Sequence, residues 1–230
     1  MDMGIFILIA LVILAVVIGR WIAGQKRREA LAAEARRLGL QFSADDPFQI
    51  PEMYAHFSDF TQGHSRCASN VMSGKLNGLY LMAFDYRYVT GSGKSQTTHC
   101  FSAIILTVDC VFPGLQIRPE NFLDKLAAMI GFDDINFESD EFSRRFHVTS
   151  EDRKFAYAVI HPRMMEFLLA DPAWNLTLDD CNILVRQGTN TWAVGEFIIA
   201  IDFIRRFLAL VPDYVIKDLE TRGAPPESTR

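Results

Sequence analysis

The chain has 230 residues, half of them apolar and 22% charged, with a formal net charge of −5. That length lies between one large domain and two small ones, and the composition excludes wholesale disorder as well as collagen-like and repetitive polymers. There is enough apolar mass for a packed core, and no single stretch carries a motif that names a reaction.

From Met3 to Gly19 the chain runs 17 positions without a charged or strongly polar side chain. Extended past Arg20 through Trp21, Ile22 and Ala23, with Arg20 snorkelling to the headgroups, a helix here reaches the roughly 20 residues that cross a hydrocarbon core of about 30 Å. A secretory signal peptide needs basic residues before its apolar stretch, and only Asp2 precedes this one. Arg20, Lys26, Arg27 and Arg28 all follow it, and basic residues stay on the cytoplasmic side. Residues 1–24 therefore read as a single-pass anchor with its short amino tail outside, and everything after Gly24 as cytoplasmic. Arg20, Lys26, Arg27 and Arg28 also form a collar suited to anionic lipid, although topology alone accounts for them.

Beyond residue 28 the balance is 19 basic against 27 acidic residues, a net charge of −8. Such a body has no reason to seek nucleic acid, whose binding draws on clustered Lys and Arg. Cys67, Cys100, Cys110 and Cys181 show no C-x-x-C pair and no histidine at zinc-finger spacing, so free thiols are expected in a reducing compartment.

The segment Gln25–Leu38 has high helix propensity and apolar positions at Leu31, Ala35 and Leu38, which predicts a helical stalk of residues 25–38 continuing the anchor. Gly39 ends it, LQFSA reads as a strand, and PEMYAHFSDF as one or two helical turns. Asn77-Gly78 between strand-forming runs is the strongest short hairpin signal in the chain. Gly91–Lys94 makes a second turn, giving a three-strand antiparallel meander in which Phe84, Tyr86 and Tyr88 share one face and Asp85, Arg87 and Val89 the other. Pro113-Gly114 is expected to break the third strand from LQIR, and Pro119-Glu120 to open a helix with the stripe Phe122, Leu123, Leu126, Ala127 and Ile130, capped by Gly131. FSRRFHVTS reads as a strand, with Thr149 and Asp152 at capping-box-like spacing leading into a helix that Pro162 breaks or kinks. NLTLDDCNILVRQ and TWAVGEF read as paired strands, and a final helix is expected from about Ile198 to Val211.

Gly91-Ser92-Gly93-Lys94-Ser95 superficially matches the end of a phosphate-binding loop, with Asp109 as its magnesium partner. The match fails because Tyr88 stands where a glycine is required and Gln96 onward is strand-like, so no helix amino terminus faces a phosphate. His56, His64, His99, His147 and His161 have no ligand-like partners at i+2 or i+4. The pairs Asp45-Asp46, Asp133-Asp134 and Asp179-Asp180 read as turn and cap chemistry. No catalytic, cofactor-binding or metal-ligating residue is assigned.

The segments FDYRYVTGSGKSQTTH and LQIRPENF, together with FSRRFHVTSEDRKFAYAVIHPRMMEFLL, are similar to bacterial single-pass membrane-anchored proteins of uncharacterised function. The resemblance covers roughly residues 36 to 200 and implies an anchored α+β domain at the bacterial inner membrane. It lends no activity or ligand. The expected architecture is an α+β fold in which the anchor and stalk precede antiparallel strands and packed helices in two successive halves, 39–135 and 136–221, with a disordered tail at 222–230. The expected function is a non-catalytic protein- or ligand-binding module at the membrane, needing no cofactor and using an unknown protein partner. The alternative is a membrane-tethered hydrolase or nucleotide-using enzyme working through Lys94, His99 or Asp109.

The loop reading is testable by melting curves with and without magnesium-ATP. A plain turn predicts that Lys94→Ala changes stability by no more than about 0.5 kcal/mol and that the nucleotide shifts neither protein. A saturable shift in the wild type that the substitution abolishes would instead establish a phosphate site.

Overall fold

The computed structural model describes residues 3–120, 135–171 and 174–223. It has an α+β fold, with one long apolar amino-terminal helix followed by an antiparallel sheet and packed helices. Of the helix expected over 120–131 only Glu120 is described, and of the tail expected to be disordered at 222–230 only Arg222 and Gly223, which instead end the last helix.

Helix α1 (Met3–Leu38) is unbroken, so the apolar stretch and the stalk are one rod. Its two parts have opposite environments. Residues 6–24 are exposed throughout, whereas Leu31 and Ala35 are completely buried. Gly39, at φ 72°, reverses the chain, and the Leu40 N–H bonds back to the Ala35 carbonyl at 2.8 Å. The chain then returns along the rod as β1 (Gln41–Asp45).

Strand β2 (His64–Leu76) and β3 (Leu79–Thr90) join through Asn77 and Gly78, both at positive φ, as that dipeptide predicts. A single 3-10 turn (Gly93–Ser95) connects β3 to β4 (Thr97–Pro119), and no helix follows the Gly-Ser-Gly-Lys segment. The hydrogen-bonded order is β1-β2-β3-β4-β5, with β6 (Asn175–Arg186) on the other side of β4 and β5 given by Phe146–Ser150.

The expected break at Pro113-Gly114 does not occur. The chain stays extended for 23 residues, and the irregularity is absorbed as bulges in the β4–β6 register between Thr107 and Leu115. Consequently β4 pairs with β3 through its first part and with β5 through its last, so both expected halves share one sheet.

Two further expectations are overturned. FSRR is not strand but the helix α3 (Asp140–Arg145), because Ser139 caps it through the Phe142 N–H, with Asp140 and Glu141 in the first turn and Arg144 and Arg145 in the last. TWAVGEF is not strand either. Val194 already begins α6 (Val194–Leu210), and the Glu196 carboxylate reaches back to the Ala193 N–H.

Between these, Asp152 caps α4 (Arg153–Val159) by accepting from Lys154 and Phe155, and Pro162 opens α5 (Pro162–Ala170). The last helix is α7 (Asp213–Gly223).

The sheet has two buried faces. Stalk and helices cover the first, where Leu31, Met72, Leu81, Ile104, Phe203 and Phe207 meet. The segment containing α2 (Ile50–Met53) covers the second with aromatic packing, Phe60 lying 4.9 Å from Tyr86 and 5.8 Å from Phe84.

Gly91 is tightly constrained: at φ 80° a methyl group there would overlap the Ser95 carbonyl oxygen, while Gly93 at φ 57° faces open space. Gly91→Ala is expected to cost on the order of 3 kcal/mol and Gly93→Ala about 1, from strain alone. Urea unfolding of the detergent-solubilised chain checks the order, and equal costs would refute it.

Candidate functional site

The feature that joins the rod to the sheet is built around one carboxylate. Asp85, on the first face of β3, accepts a two-pronged bond from Arg27 of α1, Nε to Oδ2 at 2.8 Å and a terminal nitrogen to Oδ1 at 2.7 Å. Asn70 donates to Oδ2 at 2.8 Å and the Ser102 hydroxyl to Oδ1 at 2.6 Å. The remaining guanidinium nitrogen of Arg27 donates to the Trp192 carbonyl at 2.6 Å, and the Trp192 N–H donates to Ser102 at 2.9 Å. Arg27, read from the sequence as available to lipid, is therefore committed to the domain. Its planar fork matches a carboxylate in a way lysine would not.

On the other face a second charged pair is buried, Arg186 Nε to Asp59 Oδ1 at 2.5 Å, with the Arg186 guanidinium 5.0 Å from the Phe101 ring centre. Arg118 is also buried, and its Nε and one terminal nitrogen have no hydrogen-bond partner among the described residues. Burial pushes the Arg118 pKa down and Asp59 partly offsets that. Burial likewise raises Tyr54 to about 12 and lifts Tyr86, so both phenols stay protonated. Tyr86 uses its hydroxyl to donate to the Phe60 carbonyl at 2.9 Å.

Two concavities flank this framework. A polar cleft of about 230 Å³ is lined by His56, Ser58, Gln116, Thr149 and Thr177. An apolar crevice of about 220 Å³ lies between the Asn77 hairpin and α6, lined by Leu76, Leu79, Leu81, Leu106, Ile204 and Leu208. The sequence reading missed both, since each is assembled from residues far apart in the chain.

The residues of the enzyme alternative do not converge. His99 and Asp109 lie ten positions apart on one strand, about 33 Å at strand rise, and Lys94 is exposed in its turn. His99 bonds to the Thr90 hydroxyl at 2.8 Å and stacks on Tyr88. His161 caps α5 and reaches the Leu210 carbonyl at 2.9 Å, while His64 meets Ser65 and the Gly91 carbonyl. The Asp46 carboxylate caps a turn by accepting from Phe48 and Ile50, as turn chemistry predicts, whereas Asp179 and Asp180 lie within β6, Asp180 at φ 51° beside a bulge of the ladder. All four cysteines are free, and burial raises the Cys100 and Cys110 thiols. Among the described residues no group of His, Cys, Asp and Glu is placed to hold a metal ion.

What these elements define is an antiparallel sheet domain fixed without a linker on a single apolar helix. The fold is similar to that of the mycobacterial trehalose monomycolate transport factor A, whose crystal structure superposes with a TM-score of 0.59 at 14% identity, covering 81% of this chain and 95% of that one. No protein-family model and no curated protein matches the chain. At that identity the likeness is one of fold.

Two substitutions test the buried charges. Arg27→Met leaves Asp85 without its cation and is expected to cost on the order of 3 kcal/mol, and Asp59→Asn strands Arg186 at a similar cost. Arg27→Met with Asp85→Met should recover much of the first loss, because no unpaired charge remains at the junction. Denaturant midpoints measure all four proteins, and a harmless Arg27→Met would mean that the junction does not hold the stalk.

Proposed function

We propose that the chain is a single-pass, membrane-anchored, non-catalytic binding module with its domain in the cytoplasm. The observation that carries this reading is α1 itself: one continuous helix whose residues 6–24 are exposed throughout and whose Arg27, Leu31 and Ala35 are held in the domain. An apolar rod of that length left bare in water would be severely unfavourable, and a bilayer supplies the apolar surroundings it lacks. The basic residues on the domain side of the rod favour a cytoplasmic domain. The resemblance to uncharacterised anchored proteins of the bacterial inner membrane points the same way.

The fold likeness to a trehalose monomycolate transport factor supports a lipid-related role at the membrane rather than an enzymatic one. The apolar crevice between the Asn77 hairpin and α6 is the feature of the domain most suited to an aliphatic group. The dispersal of Lys94, His99 and Asp109 along β4 and its turn counts against the hydrolase alternative.

Topology is tested by fusing reporters after Arg230. A reporter that works only in the cytoplasm should be active and an export-dependent one silent, and the reverse would invert the orientation. Truncation tests the anchor. A chain beginning at Gln25 keeps Arg27, Leu31 and Ala35 and should be soluble with a cooperative melt, whereas one beginning at Gly39 should not fold cooperatively, since it loses the junction and part of the core. If the shorter chain is as stable as the longer, the stalk is dispensable and the domain boundary lies after it.

A further inference from the structure

We propose that the end of the sheet carrying the Gly91–Gln96 turn rests on the anionic headgroups of the same bilayer that holds α1. The inference rests on the membrane-spanning reading above and adds to it a specific second contact.

The geometry follows from the register between rod and sheet. Arg27 meets Asp85, and thirteen residues later Leu40 packs against Gly74, which pairs with Leu81. Strand β3 therefore runs antiparallel to the stalk, from the level of Leu40 down to the level of Arg27. It does not stop there. From Asp85 to Thr90 the strand continues five residues, about 17 Å, in the direction of the anchor, paired on both sides by β2 and β4. Along α1 the apolar stretch ends at Ala23, four residues before Arg27, or about 6 Å. The polar layer of a bilayer leaflet is only about 5–7 Å deep. Measured from the shared Leu40–Leu81 level, Thr90 lies nine residues or about 30 Å along β3 and Ala23 seventeen residues or about 26 Å along α1, so the end of the sheet comes down to about the level of the headgroup layer. Gly24 has nothing within 4 Å and Trp21 is exposed, so the sheet end stands beside the rod and leaves it free for lipid.

The chemistry of that end agrees. Residues 91–97 are exposed and polar, with no large apolar side chain to enter hydrocarbon. Arg66 on β2, Arg87 on β3 and Lys94 at the tip are all exposed. No acidic residue occurs between Asp59 and Asp85 or between Asp85 and Asp109, and those two nearer carboxylates are buried in ion pairs. In a domain with a strong acidic excess, the β2–β4 strand ends carry exposed Arg66, Arg87 and Lys94 and no exposed carboxylate, the nearest acidic groups being Glu29 on the rod, Asp45 on β1 and Glu52 beside Tyr86, and these strand ends are what the register directs at the membrane. Lys and Arg near an anionic surface are held there by its potential.

The test uses the unmodified full chain in phosphatidylcholine vesicles with and without about 30% phosphatidylglycerol, probed by an amine-reactive reagent and read by mass spectrometry. Lys94 lies at the proposed contact and Lys75, also exposed, at the opposite end of the sheet. Lys94 should react about fivefold more slowly relative to Lys75 in the anionic vesicles than in the neutral ones, and Arg66→Gln with Arg87→Gln should restore much of the difference. Brominated lipid quenching of Trp21 reports separately on the helix, because Trp174 and Trp192 are buried in the domain. Quenched Trp21 with an unchanged Lys94 to Lys75 ratio overturns the sheet contact and leaves the anchor standing. Unquenched Trp21 overturns the anchor reading and this proposal with it. Equal protection of Lys75 and Lys94 also overturns the proposal, since the domain would then lie on another face.

Discussion

The rod, the first face of the sheet and the approach to α6 are positioned by the fork between Arg27 and Asp85. A carboxylate at 6% exposure is tolerable only when its charge is met and its lone pairs are filled, and here four donors from three side chains do so. Those donors come from α1, β2 and β4, and Ser102 and Arg27 pass the network on to Trp192 ahead of α6. One acid therefore fixes the rod against three strands and sets where the covering helix begins. The leucine and alanine of the stalk complete the first face of the core, but they are small and apolar and would pack in several registers. The ion pair selects one.

The opposite face is organised differently. Its aromatic cluster is built locally, by Phe57 and Phe60 laid over Phe84, Tyr86 and Phe101, and a buried arginine and aspartate tie that cover to the sheet. Arg118 adds a second buried cation near one carboxylate, and burial weakens its hold on its proton. Where the two faces meet, the bulges of β4 allow one strand to serve β3 at its start and β5 at its end, so a chain that alternates strand and helix twice still makes one sheet.

Much of this could be read from residue order because the deciding signals were local. Asn77-Gly78 dictates its hairpin, Pro162 its break, and the alternation around Asp85 correctly set it opposite Phe84 and Tyr86, whereas the cap of α4 is Asp152 itself and Thr149, read with it as a capping box, stays in β5. The failures came where local preference was outweighed. Thr191, Trp192, Val194 and Phe197 favour a strand by type, yet Glu196 reaching back to Ala193 starts a helix there. Ser139, Asp140 and Glu141 carried a helix start that the following β-like run obscured. Pro113 reads as a terminator but is accommodated in an irregular stretch of ladder, where a missing N–H is tolerated. The junction and the two concavities had no local signal at all. Arg27 and Asp85 lie 58 residues apart, and their pairing exists only once the sheet has formed.

The absence of a linker between rod and sheet governs how the domain can encounter anything. A flexible tether lets a domain search a hemisphere whose radius grows with the square root of tether length. On the anchored reading proposed above, the domain can only drift in two dimensions and spin about the membrane normal, and its crevice rises or falls only as the rod tilts. Any tilt of the helix in a thicker or thinner bilayer is converted directly into movement of the far hairpin at Asn77, as at the end of a lever. On that reading bilayer thickness would act on the domain mechanically, without any ligand having to bind.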